Sequence, residues 1–347
     1  MSDKTNPGNF FEDFEIGQEL VHATPRTITE GEVALYTALY GGRFALQSAD
    51  MAAQALGYPG APVDDWLVFH IVFGKTVPDV SLNAVANLGY ARGRFLAPVF
   101  PGDTLAATSK VIGLKENSNG KTGTVYVNST GTNQAGETVL DYCRWVMIRK
   151  RDENAPAPAP VVPDLPARVD PGDLAIPDIE AAGYNAAWVG QPHRFGDYRA
   201  GERIDHADGV TIEEAEHMMA TRLYQNTARV HFNQHTEGQG RFGRRLIYGG
   251  HIISLARSLS YNGLAPAMWI AAINGGAHTA PTFAGDTIYA WSEVLETADL
   301  PGPVGALRLR TVACKDRAAT DFPDKAEDGK RDPAVVLDLD YWALMVK

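Results

Sequence analysis

A nine-residue segment occurs twice in this chain, about half a chain apart. Residues 97–105 read Ala-Pro-Val-Phe-Pro-Gly-Asp-Thr-Leu, and residues 280–288 read Ala-Pro-Thr-Phe-Ala-Gly-Asp-Thr-Ile. Both copies keep the Ala-Pro pair, the phenylalanine and the Gly-Asp-Thr triplet at the same spacing. This agreement predicts an internal duplication, and the interval is far too long for a solenoid or a propeller.

Three further matches follow the same order along the two copies. They join 27–32 with 211–216, 69–72 with 250–253, and 139–145 with 336–342. The second copy is longer near its end, and residues 320–332, rich in Asp, Lys and Pro, are typical of a solvated loop.

The two copies are separated by a proline-rich segment. Within residues 154–160, Ala alternates with Pro from 155 onward, which favours an extended spacer. We therefore expect an N-terminal domain at 1–152, a linker at 153–175 and a C-terminal domain at 176–347.

Each copy has the pattern of a polar strand, a helix, a more apolar helix and then several long strands. Thr27 with Glu30, and Thr211 with Glu214, have the spacing of a capping box and predict the start of the first helix in each copy. Residues 252–259 are apolar enough for a helix that is buried on most sides. Alternating runs rich in β-branched residues follow as strands. The sequence therefore predicts an α+β fold.

Charge and cysteine content exclude some classes of partner. The formal net charge of -11 argues against nucleic acid, because phosphate binding needs a basic face. Two cysteines in 347 residues fit a reducing compartment, and we expect Cys143 and Cys314 to be buried thiols. The sequence shows neither a signal-peptide core nor a run of roughly 20 apolar residues. We expect a cytoplasmic homo-oligomeric enzyme with no membrane partner.

The duplicated pattern resembles the double hotdog fold, in which long antiparallel sheets wrap around buried helices. The segments around residues 98–105 are similar to those of the MaoC-like R-specific enoyl-CoA hydratases. Residues 4–14, 23–30 and 224–233 resemble, more closely, the mesaconyl-CoA hydratases, also called β-methylmalyl-CoA dehydratases. The resemblance implies an α+β double hotdog chain that reversibly adds water to a CoA thioester, with mesaconyl-CoA and β-methylmalyl-CoA as the pair.

The family's catalytic motif is an Asp, then Asn-Pro, then a His five residues after the Asp. In the second copy the matching stretch runs from Asn226 to His231, with Ala228 and Arg229 where the family has Asn-Pro. The matching residues 42–47 of the first copy keep neither titratable residue. The resemblance therefore implies that the second copy carries the chemistry and the first shapes the pocket. The amide at 226 leaves open how the missing acid is replaced.

Hydration of a double bond conjugated to a thioester needs a base, an acid and a group that stabilises charge on the thioester oxygen. His231 is predicted for both proton transfers, because an imidazole titrates near neutrality. Asn226 is predicted to orient a water, since an amide cannot accept a proton at neutral pH. Gly250, just before the apolar helix, matches the family's backbone donor to the thioester oxygen.

Several residues near this motif are candidates for binding the substrate. Arg241, Arg244 and Arg245 are predicted to bind the phosphates of coenzyme A, with a solvated basic loop as the alternative. Arg229 is predicted to bind the free carboxylate of mesaconyl-CoA, with a structural ion pair as the alternative. Tyr224, in the segment that carries the resemblance, is assigned to the same substrate-binding set.

No histidine pair has a convincing metal-binding context, so we predict no metal and no cofactor beyond the coenzyme A carried by the substrate. Three alternative functions stay open on sequence grounds. The first is an R-specific hydratase of fatty enoyl-CoA. The others are an acyl-CoA thioesterase and a non-catalytic acyl-CoA-binding protein.

Overall fold

The two sequence copies form the two halves of one continuous antiparallel sheet. The computed structural model describes residues 4–325 and 329–347. Within those residues ten strands pair in the order β1-β3-β4-β5-β2-β7-β10-β9-β8-β6, so the second half repeats the first in reverse. The strands are β1 Glu19–Thr27, β2 Ala84–Phe95, β3 Thr104–Glu116, β4 Thr122–Thr132, β5 Thr138–Arg149, β6 Arg203–Thr211, β7 Trp269–His278, β8 Thr287–Asp299, β9 Val304–Lys315 and β10 Val335–Val346.

The halves join where β2 pairs with β7. Tyr90 lies opposite Gly276 and Arg94 lies opposite Ala272 in this antiparallel pair. Because the ladder of strands continues across the junction, the two halves share one sheet, and β1 and β6 form its edges.

Each half wraps its strands around one long buried helix. In α4, Asp65–Thr76, every residue after Asp65 is buried, and α9, Gly249–Leu259, is buried from Gly250 to Arg257. The run at 252–259 is therefore helical and mostly buried, as the sequence predicts. The helices are α1 Glu30–Tyr40, α2 Ala45–Ser48, α3 Asp50–Ala55, α4 Asp65–Thr76, α5 Ala186–Val189, α6 Glu214–Leu223, α7 Arg229–Phe232, α8 Gln234–Glu237, α9 Gly249–Leu259 and α10 Tyr261–Leu264.

The repeated Gly-Asp-Thr triplet forms the same turn in both halves. Gly102 and Gly285 have φ angles of 101° and 96°, in the left-handed region that glycine adopts at little cost. The Asp103 carboxylate accepts the N–H of Phe100 at 2.7 Å, and the equivalent bond in the second half is 3.0 Å long. The threonine then begins β3 or β8. Each triplet therefore fixes the entry of a strand.

The first helix of each half is capped differently from the sequence prediction. The capping box of α1 is formed by Thr29 and Glu32, and α6 has no side-chain cap. The predicted boxes at Thr27 and Thr211 are wrong because these residues end β1 and β6. Their hydroxyls lie 2.7 and 2.9 Å from the hydroxyls of the Gly-Asp-Thr threonines on the neighbouring strands.

The connection between the halves, residues 150–202, packs against the first half at several places. Val161 pairs with Leu114 of β3. Further along, the N–H of Glu180 donates to the carbonyl oxygen of Leu56 at 3.0 Å. Part of the predicted C-terminal domain thus covers the helices of the N-terminal half. The predicted limits of the two domains and the linker stay predictions.

Three other sequence features can be placed in the fold. The insertion predicted at 320–332 lies between β9 and β10, and its residues 326–328 lie outside the described residues. Cys143 and Cys314 are both buried, as predicted. Over residues 4–325 and 329–347, no helix combines the length and the apolar character that crossing a bilayer needs.

Candidate active site

A cavity of about 350 Å³ lies at the junction of the two halves. The first half supplies Tyr90 from β2 and Arg144 from β5. The second half supplies His231 from α7, Gly249 from the start of α9 and His278 from the end of β7. Each half therefore contributes part of a wall that neither builds alone.

His231 presents a neutral imidazole to this cavity. Its Nδ1 lies 2.9 Å from the carbonyl oxygen of Leu246. Because a carbonyl only accepts hydrogen bonds, Nδ1 carries the proton and Nε2 keeps its lone pair. Burial lowers the pKa of His231 to about 4, against the raising effect of the bond to Leu246. His231 is therefore a base at neutral pH, and no described residue bonds to its Nε2.

Asn226 lines the same cavity and is held by its own loop. Its side chain is buried, and its Oδ1 accepts the N–H of Ala228 at 3.2 Å. Its backbone N–H donates to the carbonyl oxygen of Thr221 at 2.9 Å. Because Oδ1 faces a backbone donor, the amide orientation is settled, and Nδ2 is the atom left for a ligand. Asn226 thus offers a hydrogen-bond donor, where the family's aspartate would offer an acceptor.

The N-terminus of α9 reaches the cavity wall. Tyr248, the residue before the helix, provides no side-chain cap, and Gly249 lines the cavity. Within the described residues, the N–H groups of Gly249 and Gly250 have no hydrogen-bond acceptor. Such free donors, together with the helix dipole, favour negative charge.

Glycine is required at the start of α9. A Cβ on Gly249 would lie 2.3 Å from the His278 ring, so only glycine allows this close approach. Gly250, the predicted donor, is buried and lies outside the cavity wall. The structure therefore brings Gly249 to the cavity, and the role of Gly250 stays a prediction.

The three arginines predicted to bind phosphate are placed differently. Arg241 lines the cavity and is exposed, with its guanidinium 5.1 Å from the ring of Phe242. Arg244 is exposed and stacks on a neighbouring aromatic ring outside the wall. Arg245 forms an ion pair with Glu214 at 2.5 Å. The exposed side chains of Arg241 and Arg244 are accessible to an anion in solvent, whereas Arg245 is paired with Glu214.

Two other predicted substrate contacts lie away from the cavity wall. Arg229, on α7, has an exposed side chain that is not part of the lining. Tyr224 is buried, and its hydroxyl donates to the oxygen of Tyr40 at 2.7 Å. Tyr40 in turn lies 2.7 Å from Nδ1 of His251. The structure thus places Tyr224 in a buried hydrogen-bond network, and both substrate-binding roles stay predictions.

The motif gives no indication of three polar residues in the wall: Tyr90, Arg144 and His278. The Tyr90 hydroxyl lies 3.3 Å from Nε2 of His278. Burial, and to a lesser extent the repulsion that a protonated His231 would exert, lowers the pKa of His278 to about 4. Arg144 has one sequence signal, which is a charged residue inside the largely apolar strand β5. Across the described part of the chain, no cluster of three or more His, Cys, Asp or Glu residues could hold a metal ion.

The sequence matches the family model for mesaconyl-CoA hydratase over residues 1–323. The chain belongs to the mesaconyl-CoA hydratase family. One relative is the β-methylmalyl-CoA dehydratase of Chloroflexus aurantiacus, which is 68% identical over 99% of this chain and 99% of that protein. Another is the mesaconyl-CoA hydratase of Cereibacter sphaeroides, which is 61% identical with the same coverage of both chains. The family resemblance seen in the sequence is confirmed.

Solved structures confirm the fold of this mesaconyl-CoA hydratase family member. A MaoC domain protein from Chloroflexus aurantiacus J-10-fl matches with a TM-score of 0.97 and 68% identity, over 100% of this chain and 99% of that one. A double hotdog protein from Mycobacterium tuberculosis matches with a TM-score of 0.75 and 26% identity, over 98% of both chains. The predicted α+β double hotdog architecture is therefore confirmed.

Proposed function

We propose that the protein catalyses the reversible addition of water to mesaconyl-CoA, giving β-methylmalyl-CoA. The observation that carries this proposal is the pairing of a neutral His231 with the free N-terminus of α9 in one cavity. A base and an oxyanion-stabilising group are what hydration of a thioester-conjugated double bond requires. The two relatives named above carry the names of this reaction's two directions.

The geometry indicates how the residues divide the reaction. Nε2 of His231 takes a proton from a water whose oxygen accepts a hydrogen bond from Nδ2 of Asn226. The water oxygen then forms a bond to the β-carbon, and the electrons of the double bond move onto the thioester oxygen. N–H groups at the start of α9 stabilise that charge. The protonated His231 returns its proton to the α-carbon, which restores the neutral imidazole and completes the addition.

This scheme gives the amide at 226 a role that differs from that of the family's aspartate. With a donor at Nδ2, Asn226 fixes the water and leaves both proton transfers to His231. One neutral base that receives and then releases the same proton balances the reaction without a second titratable group.

The test is hydration of mesaconyl-CoA by purified protein, followed spectrophotometrically, and repeated with His231→Ala. General acid–base catalysis contributes about 100- to 10,000-fold, so we expect a loss of that size with the fold intact by circular dichroism. His235→Ala is the matched control, because His235 lies four residues away on α8 with an exposed side chain.

A loss under about tenfold for His231→Ala, in a folded protein, would remove His231 as the acid/base. Release of free thiol from the acyl-CoA without hydration would instead indicate a thioesterase. Turnover of crotonyl-CoA in preference to mesaconyl-CoA would indicate a hydratase of fatty enoyl-CoA.

The proposed reaction also sets the expected partners. The acyl-CoA is the small-molecule partner, and it brings coenzyme A as part of the substrate, so no separate cofactor is proposed. A cytoplasmic location is a proposal too, motivated by the low cysteine content of the chain, and the homo-oligomeric state stays a prediction.

A further inference from the structure

Arg144 is a buried cation in the cavity wall without a carboxylate partner among the described residues. Its side chain is 0% exposed, and its Nη2 donates to the hydroxyls of Thr76 and Ser81 at 2.7 and 3.2 Å. Nε and Nη1 have no hydrogen-bond partner. Three of the five N–H donors of the guanidinium are therefore unsatisfied, one on Nε and two on Nη1.

A buried charge of this kind is costly unless a counter-ion satisfies it. The charged and ionisable groups that act on Arg144 most strongly are the hydroxyls of Tyr142, Tyr90 and Tyr248, and burial lowers its pKa. Arginine nevertheless keeps its charge in proteins at neutral pH. The cavity wall thus carries a fixed positive charge that the described protein does not neutralise.

A second buried arginine differs from Arg144 in its charged surroundings and in its place. Arg257, on α9, also leaves Nε and Nη1 without a hydrogen-bond partner, and its Nη2 donates to the carbonyl oxygen of Ala267 at 2.6 Å. The carboxyl groups of Asp64 and Asp65 act on the charge of Arg257, whereas among the described residues only tyrosine hydroxyls act in this way on Arg144. Arg144 lines the cavity and Arg257 does not.

The surroundings of Arg144 fix its position. Its guanidinium lies 4.1 Å from the centre of the Phe73 ring, and the two hydroxyls hold Nη2 from the other direction. Asn87, another residue of the cavity wall, has both side-chain amide atoms buried without a partner. An orienting aromatic ring, and an unsatisfied amide in the same cavity wall as an unsatisfied guanidinium, are the features of a preorganised anion site.

We propose that Arg144 binds the free carboxylate of the substrate, with Asn87 as a second hydrogen-bonding group. The inference rests on the proposed function, since mesaconyl-CoA carries a carboxylate at the acyl end and simple enoyl thioesters do not. We do not assign the phosphates of coenzyme A to Arg144, because Arg144 is buried, whereas the exposed Arg241 is accessible to them. The first half, which lacks the catalytic motif, therefore supplies acyl-group specificity.

The experiment compares kcat/KM for mesaconyl-CoA and crotonyl-CoA in the wild type, Arg144→Met and Arg144→Lys. Arg144→Met should lower kcat/KM for mesaconyl-CoA by at least about 30-fold and crotonyl-CoA much less, because removing one partner of a buried ion pair strands the other charge. Arg144→Lys should restore part of the loss. Arg149→Met is the matched control, since Arg149 is exposed on the same strand.

Binding of unreactive thioesters provides a readout that does not depend on turnover. Succinyl-CoA carries a free carboxylate and butyryl-CoA does not, so the wild type should prefer succinyl-CoA and Arg144→Met should lose that preference. The melting temperature of Arg144→Met should stay the same or rise, because the variant removes an unneutralised buried charge.

The two proposals fail in different ways. If the wild type does not hydrate mesaconyl-CoA, the proposed function fails. If the wild type is active and Arg144→Met affects mesaconyl-CoA and crotonyl-CoA equally, the carboxylate assignment is overturned. A marked fall in melting temperature with unchanged preference for succinyl-CoA would likewise overturn it and make Arg144 a structural residue.

Discussion

Lowering the pH from 7.0 to 5.5 should destabilise the fold strongly, because six histidines, four of them buried and two in the cavity wall, are held neutral. Their pKa values lie far below the ordinary value of 6.5, and desolvation by burial is the first cause in each case. A lowered folded-state pKa means that the stabilisation is complete above pH 6.5 and is lost as the pH falls below it. The pKa values are about 3 for His70, about 4 for His206, about 2 for His217, about 4 for His231, about 3 for His251 and about 4 for His278.

The size of the effect follows from proton linkage. At pH 5.5 an unfolded histidine is about nine-tenths protonated, while these folded histidines remain almost neutral, so each loses slightly more than about 1 kcal/mol relative to pH 7.0. Six histidines lose about 7 kcal/mol in total. Asp65 acts in the opposite direction, since burial raises its pKa to about 7, and its protonation returns roughly 2 kcal/mol. The net loss is about 5 kcal/mol, a large part of the stability of a typical folded protein.

Urea unfolding at the two pH values, followed by circular dichroism, measures this loss. We expect the midpoint to fall by about 2 M, and a comparison of pH 8.5 with pH 7.0 should show a much smaller change. Ion-paired carboxylates such as Asp338 do not contribute in this range, because their lowered pKa matters only below about pH 4. An unchanged midpoint at pH 5.5 would refute the conclusion that the fold holds these histidines in the neutral form.

Three substitutions test the remaining assignments at the site. Asn226→Ala should lower kcat by up to about tenfold, the worth of one hydrogen bond to the attacking water, and an unchanged rate and pH profile would rule out that contact. Asn226→Asp should raise KM for the anionic substrate and move the acid limb of the pH profile upward, because a carboxylate raises the pKa of His231. Arg229→Ala should change kcat/KM for mesaconyl-CoA and crotonyl-CoA equally and little, because its side chain is exposed outside the cavity wall. A selective loss for mesaconyl-CoA would instead give the substrate carboxylate to Arg229.

Much of the fold can be predicted from the sequence, because the repeated segments contain residues that form the same local structure in both copies. The Gly-Asp-Thr turn is specified by a glycine at positive φ and an aspartate that caps a nearby N–H, so it reads the same in both copies. The helix caps are less predictable, since Thr27 fits a capping box equally well but its hydroxyl is used by a neighbouring strand. A one-chain pattern cannot show which of these competing hydrogen bonds forms.

Some residues of the site can be predicted from one short segment, and others depend on contacts between distant segments. His231 follows from the spacing of a motif within one loop, and the structure confirms that it lines a cavity. Gly249 lines the cavity beside the predicted Gly250, and its need for glycine comes from the approach of His278 from β7, a distant segment. Arg144 depends on packing against Phe73 and on the absence of a nearby acid in the described residues. Contacts of this kind join segments that are far apart in sequence.

Because the two halves that meet at β2 and β7 belong to one chain, equivalent positions in them can carry different residues. In a dimer of identical single-copy chains, an arginine that helps one cavity would also be buried at the symmetry-related position. Here the residue of β10 that is equivalent to Arg144 of β5 in the segment match is Tyr341, so one half has a cation where the other has a neutral phenol. Covalent fusion thus breaks the symmetry. Each half can acquire a residue that would harm the other, and an uncompensated buried charge is present once per molecule instead of twice.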